Sequence, residues 1–116
     1  MKEFLFVFRS AQALRETQPS AEELQAMMKP WQDWMGSIAA QNKLSNPGGR
    51  LETEGIVIKP DKVITNGPYV EIKEAIGGYI VVKSASIDEA VNLAKECPIL
   101  AAGGSVEVRP IASMDK

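Results

Sequence analysis

The segment that most constrains the fold is Phe4-Leu5-Phe6-Val7-Phe8, a run of five apolar residues between charged residues Glu3 and Arg9. Alternate side chains of a β-strand point to opposite faces, so the three phenylalanines would share one face and Leu5 and Val7 the other. A strand that is apolar on both faces needs cover on both. The segment therefore predicts a central strand over 3–9.

Three further regions have strand patterns. Residues 78–83 contain Tyr79-Ile80-Val81-Val82 and predict a second strand that is apolar on both faces. Residues 51–59 and 63–65 flank Pro60-Asp61-Lys62, which predicts a hairpin. Residues 105–109 alternate, with Glu107 and Arg109 on the face opposite to the valines. Residues 41–49 contain Asn46-Pro47-Gly48-Gly49, which we interpret as a loop.

Two amphipathic helices are predicted from capping boxes followed by apolar residues spaced three and four apart. Ser20 with Glu23 begins a helix over about 20–42, and Ser86 with Glu89 begins one over about 86–96. Pro30 falls inside the first helix and predicts a kink or a brief break. Trp31 lies on the apolar stripe and is expected in the core. Trp34 lies off the centre of the stripe, which favours the rim of a pocket or an interface.

The resulting element order is β-α-β-β-α-β in a single domain spanning 1–116. This order predicts an α+β, ferredoxin-like fold, in which two helices pack on one face of an antiparallel sheet. Two helices cannot cover both faces, and the uncovered face would still carry apolar side chains. We therefore expect a homodimer formed through the helix-free sheet face.

Composition excludes several classes of partner and site. Thirteen Lys and Arg residues against fifteen Asp and Glu give a net charge of −2 without a basic cluster, so we expect neither nucleic acid nor membrane as a partner. The Phe4–Phe8 run is too short for a signal peptide or a spanning helix, so a cytoplasmic protein is expected. With no histidine and one cysteine, neither a metal site nor a cofactor is expected. Cys97 is interpreted as structural.

The candidate site lies in the stretch from Asn66 to Gly78. Asn66-Gly67-Pro68 is turn chemistry, so the chain is expected to reverse or stop there. Gly77-Gly78 permits unusual backbone geometry where the following strand begins. Structural roles are therefore predicted for Gly67, Pro68, Gly77 and Gly78. The charged residues between turn and strand, Glu71, Lys73 and Glu74, predict a small pocket here.

The same stretch resembles the Asp-Gly-Pro-Phe segment of the YCII-related proteins. The matching residues are Asn66-Gly67-Pro68-Tyr69, then Glu71, Lys73-Glu74 and Gly77-Gly78. Ser86–Ala90 and Gly103–Pro110 are similar to that family's second helix start and closing strand, so the resemblance extends from Met1 to about Ile111. It implies a dimeric α+β barrel. It departs at Asn66, where the family usually has Asp.

Three functions remain open from the sequence. We favour a small-molecule-binding module for an anionic or aromatic ligand, with candidate binding residues Asn66, Tyr69, Glu71, Lys73, Glu74, Arg109 and Trp34. Arg109 suits a bidentate carboxylate contact, although pairing with Glu71 or Glu74 is the structural alternative.

The second function is an enzyme using carboxylate, lysine or tyrosine groups. No catalytic residue is assigned, because the resemblance implies His and Asp as proton-transfer groups and this chain has no His. The third is a protein-interaction module in signalling or transcription, which the family's frequent proximity to sigma factors implies.

Overall fold

The computed structural model describes residues 1–10, 20–52, 54–67 and 76–113, with the backbone alone at 66 and 67. In these ranges the strands are β1 (Lys2–Arg9), β2 (Leu44–Arg50), β3 (Gly55–Ile58), β4 (Ile64–Gly67), β5 (Ile76–Ser84) and β6 (Ser105–Pro110). The helices are α1 (Ala21–Ala40) and α2 (Ile87–Ala94), and a short 3-10 helix follows at Pro98–Leu100.

The main sheet has the order β2-β5-β1-β6, and each neighbouring pair is antiparallel. β5 therefore lies between β1 and β2, and β1 lies between β5 and β6. This is the double split β-α-β arrangement of the ferredoxin-like fold. The predicted α+β class is confirmed.

The core lies between one face of this sheet and the two described helices. In β1, Phe4 pairs with Val82 and Phe6 pairs with Ile80, so these side chains share a face. They are buried in one cluster with residues of both helices, Trp34, Ile38, Ala90 and Ala94. Burying each large apolar side chain stabilises the fold by roughly 1.5–3 kcal/mol.

Both predicted capping boxes begin helices. The Glu23 amide donates to Ser20 Oγ at 3.2 Å, and the Glu89 amide donates to Ser86 Oγ at the same distance. α1 continues through Pro30 without a break. Its first half is exposed, including Met27 and Met28, because only the second half lies over the sheet.

The predicted order of burial of the two tryptophans is wrong. Trp34 is buried, and its indole Nε1 donates to the Leu93 carbonyl at 3.0 Å, whereas Trp31 is half-buried. Trp34 and Ile38 are one turn apart and form the centre of the α1 contact. The apolar stripe predicted from the sequence included the N-terminal turns of α1, which extend beyond the sheet. Its centre was therefore placed too far toward the N-terminus of the helix.

The loop predicted over 41–49 is also wrong, since β2 occupies Leu44–Arg50 and is an edge of the main sheet. Its pairing with β5 is irregular, with register shifts on both sides of Asn46. Gly48 has φ +61, and a Cβ there would lie 1.8 Å from the Tyr79 carbonyl oxygen. Turn-forming residues suit a bulged edge strand as well as a loop, and this explains the error.

The predicted hairpin is confirmed, but it does not belong to the main sheet. β3 and β4 form a separate two-stranded sheet, which we call the arm (residues 55–67). Asn66 pairs with Ile56 and Gly67 with Gly55, so both residues belong to β4, and this strand stops at Gly67. Pro68 lies outside the described residues.

The second face of the main sheet carries no helix among the residues described. Its side chains alternate with the core side chains and are Leu5, Val7, Arg9, Tyr79, Val81, Glu107 and Arg109. We call this surface the helix-free face. It is apolar in the middle and charged at the β6 side.

Gly78 is predicted to be intolerant of any side chain. A Cβ at Gly78 would lie 2.7 Å from the Gly49 carbonyl oxygen, a backbone atom that cannot move without disturbing the β2–β5 pairing. The preceding Gly77 is the extra residue of a bulge, because Phe8 pairs with Gly78 and Arg9 with Ile76. We expect Gly78→Ala to lower the free energy of unfolding by about 1–3 kcal/mol in urea denaturation.

Gly49→Ala is the matched control, since a Cβ at Gly49 meets no atom within 4 Å. Its cost should stay within about 0.5 kcal/mol. Equal unfolding midpoints for the two variants would show that β2 and β5 do not approach as described.

Candidate functional site

The predicted site residues fall into three groups. Tyr69, Glu71, Lys73 and Glu74 lie outside the described residues, and Asn66 is described only as backbone of β4. Arg109 lies on the helix-free face. Trp34 lies in the core on the opposite side of the sheet, so these two candidates do not belong to one site.

Arg109 belongs to a charged cluster with Glu107 and Arg9. Arg9 Nε and Nη2 both donate to Glu107 Oε1, at 3.2 and 3.1 Å. Arg109 Nη1 lies 3.6 Å from Glu107 Oε2. Two guanidinium groups therefore share one carboxylate, and the cluster carries a net positive charge.

The two arginines differ in exposure, which matters for ligand contact. The Arg9 side chain is 28% exposed, whereas the Arg109 side chain is 70% exposed. The contact from Arg109 to Glu107 is longer than a good hydrogen bond. Arg109 can therefore turn toward a ligand, while Arg9 is held against the sheet by Glu107.

The apolar residues beside this cluster come from the two central strands. Leu5 and Val81 are half-buried and form a cross-strand pair, and Val7 pairs with Tyr79. Val7 also pairs with Glu107, so the apolar strip runs directly into the charged cluster. The surface has an apolar part and a charged part within one strand spacing.

Arg9 was not among the sequence candidates. Its alternation with Leu5 and Val7 puts it on the helix-free face, and this signal was available in the sequence. Its contact with Glu107 depends on the register between β1 and β6, where Arg9 pairs with Ser105 and Val7 with Glu107. No local pattern gives that register.

Trp34 contributes to a separate open groove between α1 and the segment after α2. The groove is lined by Pro30, Asp33, Trp34, Ser37, Glu96, Pro98 and Ala101. Asp33 contacts Lys29 at 3.5 Å on the exposed side of α1. Because Trp34 is almost fully covered and bonded to Leu93, it offers an edge rather than a ring face to this groove.

A second ion pair joins Lys43 to Glu89 at the start of α2. The hydrogen bond from Lys43 is the main cause that holds the pKa of Glu89 below its ordinary value, against a smaller opposing effect of desolvation. Lys43 follows α1, and its carbonyl accepts from the Lys83 amide. We interpret this pair as a tie between the α1–β2 connection and α2.

Two kinds of feature were compared with the ranges that the structure describes, a metal-binding group of side chains and a membrane-spanning helix. Those ranges contain no group of three Cys, Asp or Glu side chains arranged to hold a metal ion. No described helix combines the length and apolar character needed to span a bilayer.

Cys97 is buried in the core on the side of the sheet that packs against the helices. Burial raises the pKa of the Cys97 thiol from 9.0 to about 11, and a hydrogen bond with the Ile99 backbone opposes this shift in part. The thiol is therefore protonated near neutral pH and is a poor nucleophile. This agrees with the structural role predicted for it, and the main cause is desolvation.

The raised pKa predicts a loss of stability in alkali. The unfolded chain releases the Cys97 proton near pH 9.0 and the folded chain near pH 11. The contribution of the buried thiol to the free energy of unfolding is therefore fully present below pH 9.0, and it is lost as the pH rises through this interval. We expect the free energy of unfolding to fall between about pH 8 and pH 11 by on the order of 2 kcal/mol more in the wild type than in Cys97→Ala. Denaturation across this pH range measures it, and parallel curves for the two proteins would contradict it.

Comparison with known proteins agrees with this architecture. The model of the YCII-related domain matches residues 9–115, nearly the whole chain. A relative from Rhizobium meliloti (strain 1021), described as an uncharacterized protein, is 36% identical over 53 residues. That match covers 45% of this chain and 43% of the relative's length, which is less than half of each. From the extent of the domain match and the ferredoxin-like fold, the chain belongs to the YCII-related domain family.

Proposed function

We propose that this protein binds a small organic anion on the helix-free face and does so as a homodimer. The observation that carries this proposal is the Arg9–Glu107–Arg109 cluster beside the apolar strip. Among the described residues, these three side chains carry two positive charges and one negative charge next to the apolar strip. A ligand with a carboxylate and an apolar or aromatic body matches both parts.

Arg109 is the residue that would meet the ligand's carboxylate. Its planar guanidinium can donate two parallel hydrogen bonds to a carboxylate, which a lysine cannot reproduce. Arg9 Nε and Nη2 donate to Glu107, which holds that carboxylate beside Arg109. The apolar body of the ligand would lie over Tyr79 and Leu5.

The dimer follows from the uncovered apolar area. Leu5, Tyr79 and Val81 remain partly exposed in the single chain. Two copies that face each other across this surface would cover these side chains and enclose a cavity between the sheets. Enclosure would also strengthen the arginine–carboxylate contact by excluding water.

The segment before β5 leads into the same region. β5 begins at Ile76, which pairs with Arg9, so the chain arrives at the charged end of the sheet. We propose that Asn66, Tyr69, Glu71, Lys73 and Glu74 contribute to the rim of this cavity. Binding is favoured over catalysis because Cys97, with its protonated thiol, lies across the sheet from the site.

Loss of the Arg109 guanidinium should weaken anion binding. Benzoate serves as the probe and benzamide as its neutral analogue, titrated against labelled protein by NMR chemical-shift changes. A charge-assisted hydrogen bond contributes about 1.5–3 kcal/mol, so Arg109→Gln should lower benzoate affinity by roughly tenfold or more. Benzamide binding should change little.

Arg50→Gln is the matched control, because Arg50 is exposed and pairs with Gly78 away from the helix-free face. It removes the same charge and should leave benzoate affinity within about twofold. If the two variants lower the affinity equally, attraction is due to net charge alone and Arg109 does not form the site.

The helix-free face should mediate dimerisation. We expect sedimentation equilibrium to give a dimer at micromolar concentration, and Val81→Lys to convert it to a monomer by burying a charge in the interface. Gln32→Lys, on the exposed side of α1, should remain dimeric. A monomeric wild type would refute the proposed assembly.

A further inference from the structure

The arm exposes an apolar face that the rest of the described chain does not cover. Ile58 pairs with Ile64, and Ile56 lies two positions before Ile58, so these three side chains share one face. They are 67%, 63% and 68% exposed, respectively. Val57 and Thr65 on the other face are half-buried.

An isolated two-stranded sheet is marginally stable in water. In the described ranges, β3 and β4 pair with each other and with no further strand. The exposed isoleucines of the arm therefore form an apolar surface available for contact with another molecule.

The area of the helix-free face points to a second copy as that molecule. Four strands about 25 Å long, each about 4.8 Å wide, give a footprint near 500 Å². A stable interface buries about 800 Å² on each partner. Val7 in the middle of the face is only 8% exposed, so Leu5, Tyr79 and Val81 supply part of such an interface and further apolar area is needed. Ile56, Ile58 and Ile64 of the arm have higher exposed fractions than the apolar side chains of the helix-free face.

The position of the arm makes it suitable for this contact. It follows β2, an edge strand, and the Leu51 amide still donates to the Gly77 carbonyl at 2.9 Å. The arm therefore leaves the main sheet at its β2 edge, beside the start of β5. In a two-fold dimer, one such arm per protomer makes the same contact twice.

We propose that the isoleucine face of the arm, Ile56, Ile58 and Ile64, packs against a second copy of this chain. The arm of one protomer then closes the side of the ligand cavity beside the partner's helix-free face, so each site includes residues of both copies. This inference rests on the proposed dimer and adds the surface that holds it together.

Threonine substitutions on the arm test this contact, since threonine keeps the β-branched shape while replacing the ethyl branch of isoleucine by a hydroxyl group. The triple variant Ile56→Thr, Ile58→Thr, Ile64→Thr should weaken the dimer by at least about tenfold in sedimentation equilibrium. Ile58→Thr alone should weaken it measurably. Val57→Thr, one position away on the opposite face of the arm, is the matched control and should leave dimerisation unchanged.

Hydrogen exchange of the wild type provides a second measurement that needs no variant. Amides of residues 55–58 and 64–67 should be protected at concentrations above the dimer dissociation constant and should exchange rapidly below it. Amides of β1 should keep their protection at both concentrations, because the main sheet is stabilised within one chain.

The outcomes separate this inference from the proposed function. A dimeric wild type with an equally dimeric triple variant, or with arm protection independent of concentration, would overturn the arm contact and leave the sheet-face dimer standing. A wild type that is monomeric at all concentrations would overturn both. Loss of the dimer in the arm variants but not in Val57→Thr would support the arm contact.

Discussion

The pairing of β1 with its two neighbours is the interaction on which the rest of the structure depends. On one face it joins Phe6 to Ile80 and supplies the floor on which both described helices pack. On the other face the same strand carries Arg9 to Glu107. Because successive side chains point to opposite faces, a shift of one residue would bury the arginine and expose the phenylalanines. The hydrophobic core thus also fixes the position of the charged cluster.

The two faces of the main sheet differ in how they are covered, and the proposed function follows from that difference. α1 and α2 cover the phenylalanine face. The opposite face is left with an apolar strip that ends in two arginines and one glutamate. In the proposed function this surface desolvates the apolar body of a ligand and binds its carboxylate, two contributions that give small-molecule sites their affinity and orientation. In the proposed dimer the arm would add apolar area at the edge of this surface and so couple ligand binding to assembly.

Membership in the YCII-related domain family agrees with the fold. The proposed function rests on the residues of this chain. The chain has no histidine, and Asn66 stands where the resemblance implies an aspartate. The Cys97 thiol is kept protonated by burial. The proposed function is therefore binding, and it rests on Arg9, Glu107 and Arg109 of the described chain.

Elements that are specified by residues close together in the sequence could be predicted from it. Both helix starts were predictable because a capping box involves residues three apart, and the central strands were predictable because five consecutive apolar residues have few alternatives. The strand form of β2, the burial of Trp34 and the charged cluster instead depend on long-range contacts. β2 takes its strand form from pairing with β5 although its residues favour turns, and Trp34 is buried because of where α1 crosses the sheet. Arg9 meets Glu107, 98 positions along the chain, only because β1 and β6 pair in one register. Contacts between residues so distant in sequence depend on the packing of the whole domain, and no local pattern encodes them.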